Sequence, residues 1–169
     1  HLNILKYLVD ERNGDVNIEN RFKETPVFSA AEAKFKHIPI MEYLCAEKNA
    51  DLKRVDMFGK NILYKAVDND DLKLIQYVVD ERKIKLDPDG KDNCGNTLAH
   101  RAASLNRITI LDYLMKEKKA DVNIPNELGE TPLHLAAHKN YLQMCTNLIE
   151  VGNASTTMKD GRGRYPIDR

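Results

Sequence analysis

The sequence predicts an all-α-dominated solenoid, a row of short helix pairs stacked on one another. Three observations carry that reading. Four segments answer one another along the chain: Tyr7-Leu8-Val9-Asp10-Glu11-Arg12, Tyr43-Leu44-Cys45-Ala46-Glu47-Lys48, Tyr77-Val78-Val79-Asp80-Glu81-Arg82 and Tyr113-Leu114-Met115-Lys116-Glu117-Lys118. A second family lies between them: Lys23-Glu24-Thr25-Pro26-Val27-Phe28, Gly59-Lys60-Asn61-Ile62-Leu63-Tyr64, Gly95-Asn96-Thr97-Leu98-Ala99-His100 and Gly129-Glu130-Thr131-Pro132-Leu133-His134. Third, Thr25, Asn61, Thr97 and Thr131 follow one another at steps of 36, 36 and 34, with Tyr165 a further 34 on. A period of that size belongs to units that bury their apolar faces only by stacking on neighbours.

Each element of a unit follows from its residues. Thr25, Asn61, Thr97 and Thr131 carry side-chain oxygens suited to accept from the free amides of a helix's first turn. Pro26 and Pro132 then take the first helical position, where a missing N–H costs nothing. Ala30-Ala31, Ala102-Ala103 and Ala136-Ala137 follow, small enough for two helices to approach closely. A second helix shows apolar spacing, Ile40, Met41, Leu44 and Cys45 in one copy and Ile110, Leu111, Leu114 and Met115 in another. Gly59, Gly95, Gly129 and Gly163 each fall two before the cap position, a place for positive φ in a tight turn. The unit is therefore helix, short turn, helix and an extended β-hairpin loop. Neither helix is long enough to stand alone. The two longer steps place an extra pair of residues near Phe35 to Pro39 and in the Leu86-Asp87-Pro88-Asp89-Gly90 loop.

Composition narrows the function. There are 26 Lys+Arg against 26 Asp+Glu, a formal net charge of zero, and 31% of residues are charged. That balance argues against a general electrostatic grip on nucleic acid, which needs a basic excess on one face. No apolar run is long enough to span a membrane. Cys45, Cys94 and Cys145 are too scattered for a disulfide scaffold or a Cys-x-x-Cys metal site, which points to a reducing, cytoplasmic setting, with the nucleus also open. The chain opens at His1 rather than Met, so it is expected to be a fragment of something longer.

Thr131-Pro132-Leu133-His134-Leu135-Ala136-Ala137, preceded by Leu128-Gly129-Glu130 and followed by Leu148-Ile149, resembles an ankyrin repeat. The resemblance covers essentially the whole chain as one array. Residues 1–18 are expected to form part of a repeat, 19–54, 55–90, 91–125 and 126–159 full repeats, and 160–169 the start of a terminal one. Departures fall at Phe28 and Tyr64, which replace the family histidine, at Lys23 in place of the turn glycine, and at Tyr165 in place of the capping threonine.

No catalytic, cofactor or metal residues are assigned. His134 and His138 share the four-residue spacing of zinc-binding helices, but Leu135 stands where the metalloprotease motif needs glutamate. The resemblance implies that His134 and His100 are structural, bonding the capping threonine and nearby backbone. Asp68-Asn69-Asp70-Asp71 and the 87–93 loop lack the ligand spacing of a calcium loop and read as solvated turns. The Asn153-Ala154-Ser155 sequon reads as accidental. No nucleophile elbow or phosphate loop appears, so neither an active site nor a small-molecule substrate is expected.

The resemblance implies protein binding along the inner-helix face and the hairpin tips. The free inner-helix position is Ser29, Lys65, Arg101 and Leu135, and its neighbour one turn on is Ala33, Asn69, Leu105 and Lys139. Phe22, Phe58, Cys94 and Leu128 lie three before the cap position, with Met57 beside one of them. A protein partner is expected to meet Lys65, Arg101, Leu105, Leu135 and Lys139, with Met57 and Phe58 at the tips. The mixed, individually exposed residues of an ordinary surface remain the other reading of the stripe, and packing on the next hairpin that of the tips. The alternative role is a regulatory or targeting segment of a larger enzyme or channel.

Overall fold

The computed structural model describes residues 1–32, 37–81, 87 and 89–168. Expectations placed on Ala33, Phe35, Arg82, Leu86 and Pro88 lie outside them. Two rows of antiparallel helices alternate along the chain. The inner row is α2 (Pro26–Glu32), α4 (Ile62–Asp68), α6 (Leu98–Ser104) and α8 (Pro132–His138). The outer row is α1 (Leu2–Lys6), α3 (His37–Glu42), α5 (Leu72–Gln76), α7 (Ile108–Lys116) and α9 (Leu142–Glu150). Each inner helix touches the next, α2 on α4, α4 on α6 and α6 on α8, and α8 meets a closing 3₁₀ turn, Pro166–Asp168.

The alanines set that inner spacing. Ala31, Ala66, Ala102, Ala103 and Ala136 are fully buried, with no side chain beyond Cβ to hold the neighbouring helix away. Leu44, Leu74, Ile75, Ile110, Leu111, Leu114, Met144 and Leu148 fill the space between the rows and belong to one continuous apolar cluster. Each such side chain contributes about 1.5–3 kcal/mol relative to exposure. The helices are short, so this burial across units, rather than helix propensity, holds them.

The outer helices end alike. α1, α3 and α5 widen into i→i+5 turns over Tyr7–Glu11, Tyr43–Glu47 and Tyr77–Glu81. Asn13, Asn49, Lys119 and Asn153 then take φ of 53° to 57°. The amides of Gly14, Ala50, Ala120 and Ala154 each donate six residues back, to Leu8, Leu44, Leu114 and Leu148. The closure is one residue wider than a Schellman motif, whose bond spans five, and it places asparagine, or lysine at 119, in the left-handed position where glycine is common.

The hairpin loops reverse the chain without strand ladders: no strand occurs among the described residues. Each loop is a tight finger closed by Asp56 N–H to Lys60 O, Asp92 to Asn96, Asn126 to Glu130 and Asp160 to Arg164, all at 2.9 Å, and turned by Gly59 N–H to Asp56 O, Gly95 to Asp92, Gly129 to Asn126 and Gly163 to Asp160, at 2.9–3.0 Å. One further bond joins each finger to the next, such as Met57 N–H to Phe22 O and Asn93 N–H to Phe58 O, both 2.9 Å. The fingers meet chiefly near their tips, so no ladder propagates along them.

Candidate protein-binding surface

The fingers are shaped by residues that the repeat comparison did not single out. Asn20, Asp56, Asp92, Asn126 and Asp160 stand five before the cap position. In each, one side-chain oxygen accepts from the amides two and four residues on, at 2.8–3.0 Å. Such an Asx turn fixes the finger from its base. The recurrence at 36, 36, 34 and 34 was open to the same counting that found the caps. Asp160 also receives Arg164 at 2.9 Å and holds its proton well below the usual carboxylate range; main-chain and side-chain bonds overcome a burial that alone would raise it.

The inner-helix caps join fingers to helices. The Thr97 amide donates to His100 Nδ1 at 3.1 Å, so that nitrogen is an acceptor and the proton sits on Nε2, which donates to Glu130 O at 2.9 Å. The Thr131 amide meets His134 Nδ1 at 3.1 Å in the same way, and His134 Nε2 reaches Arg164 O at 3.2 Å. Both ring nitrogens of His134 are thus engaged by protein, as the structural reading held. Burial pushes His100 below its ordinary value. Tyr64 stands at the histidine position and still makes the long bond, its hydroxyl donating to Asn96 O at 2.6 Å. Phe28 has no such group, and the buried Thr25 hydroxyl beside it lacks a hydrogen-bond partner among the described residues.

The basic stripe on the inner face is internally paired. Lys65 Nζ lies 2.8 Å from Glu24 and 2.7 Å from Glu32. Burial opposes its charge, but the two carboxylates outweigh that and raise its pKa. Arg101 Nε lies 2.5 Å from Asp68, whose hydrogen bond raises the guanidinium further. Leu105 caps α6 and is half-buried, as is Leu135, while Lys139 caps α8 and is exposed. Asn69 Nδ2 donates to Ala31 O at 2.9 Å. The partners of Lys65 and Arg101 lie about one unit earlier in the chain, so the stripe viewed alone does not show them.

The tips stand out in solvent. Met57 is 46% exposed, Phe58 53% and Leu128 67%. A groove of about 520 Å³ brings Phe58, Cys94 and Leu128 from three successive fingers together with Arg101 and Leu135. A second, of about 380 Å³, sets Phe22 and Phe58 on adjacent fingers around Lys65 and Asp68. Of the residues expected to bind, Phe58, Arg101 and Leu135 share one groove and Phe58 and Lys65 the other. Met57, Leu105 and Lys139 line neither. Among the described residues no helix is long and apolar enough to cross a membrane.

The family model for ankyrin repeats (3 copies) matches residues 1–88 and 83–160. The chain is 29% identical, over 93% of its length, to 25% of a BTB/POZ domain and ankyrin repeat-containing protein NPR3 of Oryza sativa subsp. japonica. It is 31% identical, over 89% of its length, to 20% of the palmitoyltransferase AKR1 of Lachancea kluyveri. It is 37% identical, over 54% of its length, to 11% of the RelA-associated inhibitor of Mus musculus. The chain spans a quarter or less of these relatives. Ankyrin repeats are generic protein-interaction modules and are generally non-catalytic. The period, the capped inner helices, the stacked fingers and the matched repeats together place this chain in the ankyrin-repeat family.

Proposed function

We propose that this array is a protein-binding scaffold or adaptor whose partner lies along the finger tips and the inner-helix face of its C-terminal half. The groove of Phe58, Cys94, Leu128, Arg101 and Leu135 carries the reading. It combines aromatic and aliphatic side chains with an arginine, a composition enriched in the centres of protein interfaces. Lys139 and Leu105 extend the surface toward the helix ends, and Met57 extends it along the tips. Lys65, held between two carboxylates, sits at its edge. Binding is reversible recognition by a preorganised face, with no chemical turnover.

The test is affinity capture with the wild-type chain beside Phe58→Ala and Leu128→Ser, both at exposed sites. A partner held by the wild type and lost from both supports the surface, and equal retention by all three removes it. A second reading is supported by the relatives: where the chain matches a quarter or less of a larger protein, the array serves as its regulatory or targeting segment. A full-length sequence carrying a catalytic or membrane-spanning region would favour that role.

A further inference from the structure

The closures of the outer helices repeat one geometry, and one of them carries a reactive pair. Asn13, Asn49, Lys119 and Asn153 hold φ of 53° to 57°. The amide that follows each, at Gly14, Ala50, Ala120 and Ala154, donates to Leu8, Leu44, Leu114 and Leu148 at 2.8–3.0 Å. Asn13 is the only asparagine in the chain that is followed by glycine. A main-chain nitrogen can attack the side-chain amide of an asparagine just before it, and a Cβ on the attacking residue hinders the approach. Glycine has no Cβ and reaches the backbone conformations that the approach needs.

The closures also differ in how firmly they are held. Ala50 and Ala154 are buried, and each donates to a fully buried residue, Leu44 or Leu148. Asn13 and Gly14 are exposed, Leu8 is 48% exposed, and no residue of Leu2–Lys6 or Tyr7–Glu11 is buried. Local opening is easiest where few apolar contacts oppose it. While the Gly14 amide donates to Leu8 O it is not free to attack, so the closure itself gates the chemistry. Asp160 and Gly161 offer the same glycine, but there the side chain is unreactive. Arg164 and the amides of Arg162 and Arg164 hold Asp160 ionised, and a carboxylate anion resists nucleophilic attack.

We propose that Asn13 and Gly14 form a site of spontaneous deamidation, gated by opening of this closure, and that the modification then loosens the first outer helix. On opening, the Gly14 nitrogen bonds to the side-chain amide carbon of Asn13. That carbon releases its amino group, which leaves as ammonia with the Gly14 amide proton. Water then opens the resulting succinimide at either carbonyl, giving aspartate or isoaspartate. Isoaspartate routes the main chain through the side-chain methylene, so the lengthened turn no longer brings the Gly14 amide to Leu8 O. Either product adds a carboxylate near Asp10, Glu11 and Asp15, at a helix C-terminus, where negative charge is unfavourable. Asp10 on that turn accepts from Tyr43 at 2.9 Å and Lys48 at 2.6 Å, so the link to the next outer helix weakens with it.

Incubation of the whole chain in mildly alkaline buffer tests this, read by peptide mass mapping and by methylation with an isoaspartate-specific methyltransferase. The peptide holding Asn13 is expected to show the amide-to-acid mass change and to accept methyl groups while those holding Asn49 and Asn153 remain unmodified. The Gly14 amide is then expected to lose its protection from hydrogen exchange, and the Ala154 amide to keep its own. Asn13→Lys, which installs the residue found at position 119, is expected to abolish methyl acceptance in this peptide with the closure intact. Ala154→Gly supplies the glycine in a buried closure and is expected to leave Asn153 slower to convert than Asn13. An Asn13 peptide that converts no faster than those of Asn49 and Asn153 overturns the site. Asn153 converting as fast as Asn13 in Ala154→Gly overturns the gating. Unaltered protection of Gly14 after conversion overturns the loosening.

Discussion

The Tyr64 hydroxyl donates to the main-chain carbonyl of Asn96 at 2.6 Å, the bond that His100 makes to Glu130 and His134 to Arg164. Tyrosine is longer than histidine and carries its donor at the far end of the ring. It therefore keeps the link to the next finger while giving up the bonds of histidine Nδ1 to the cap. Asn61 compensates locally, its side chain accepting from the Leu63 amide at 3.0 Å. Tyr64→Phe is expected to lower unfolding stability by about 1 kcal/mol, the net worth of one buried hydrogen bond. Urea unfolding measures it; an unchanged midpoint would show that the hydroxyl carries no net stability.

Period and caps were legible in the sequence because both depend on local residue types recurring at fixed steps. Thr97 and Thr131 cap as expected, and the buried alanines lie where close helix approach was predicted. The pairing of the basic stripe was not legible from the stripe itself. Lys65 meets Glu24 and Glu32, and Arg101 meets Asp68, so each contact needs the preceding unit laid beside it. The hairpin loops were legible from their turn residues, which announce a reversal of the chain; only paired flanking residues make a ladder, and these fingers touch one another chiefly at their tips.

Lys23 occupies the turn position at φ 60°, where the later fingers place glycine at 73° to 75°. A side chain in the left-handed region costs about 1–2 kcal/mol. Lys23→Gly is expected to recover about 1 kcal/mol, part of the gain being offset by the added freedom of the unfolded chain. Gly59→Ala is expected to act in the opposite sense and more strongly. A Cβ there meets the main-chain nitrogen of Asn93 at 2.9 Å as well as its side-chain oxygen. Gly163→Ala pays only the backbone strain, since nothing lies within 4 Å of its Cβ. Melting temperatures ranked Lys23→Gly, wild type, Gly163→Ala, Gly59→Ala from highest to lowest would agree. A Gly59→Ala protein no less stable than Gly163→Ala would contradict the finger-to-finger contact.

His100 is held neutral by burial, below its ordinary value near 6.5. The unfolded chain then takes up a proton at a higher pH than the folded one, so stability rises with pH through that interval. Its contribution is complete above about 6.5, the ordinary histidine value, and is lost as pH falls through the depressed folded value. Asp10 and Asp80 act in a separate, more acidic window. Bonds first from Lys48 and Tyr43, and first from Lys118, hold their carboxyls below the usual range. Their contribution is present above the ordinary carboxylate value and fades below it. Urea midpoints are expected to fall from pH 7.5 to pH 5.5, and less steeply in His100→Tyr, whose residue 100 carries no group titrating in that interval. Equal slopes in the two proteins would show that His100 does not carry the loss.

The proposed binding surface separates its cations by what already holds them. Lys139 is exposed at the end of α8, whereas Arg101 is committed to Asp68 at 2.5 Å and lines the groove with Phe58 and Leu135. Lys139→Glu is therefore expected to leave the melting temperature within about 1 °C, as exposed charges contribute little to stability. At a peripheral position it should weaken partner binding chiefly through the association rate, with a marked salt dependence. Arg101→Glu places a second carboxylate against Asp68, so it should lower both stability and affinity. Arg101→Gln, which keeps a donor for Asp68, distinguishes the two effects: restored stability with binding still weakened several-fold assigns the guanidinium to the partner. Full recovery of binding in Arg101→Gln would limit Arg101 to its pair with Asp68 and leave the groove's contribution to Phe58, Leu128 and Leu135.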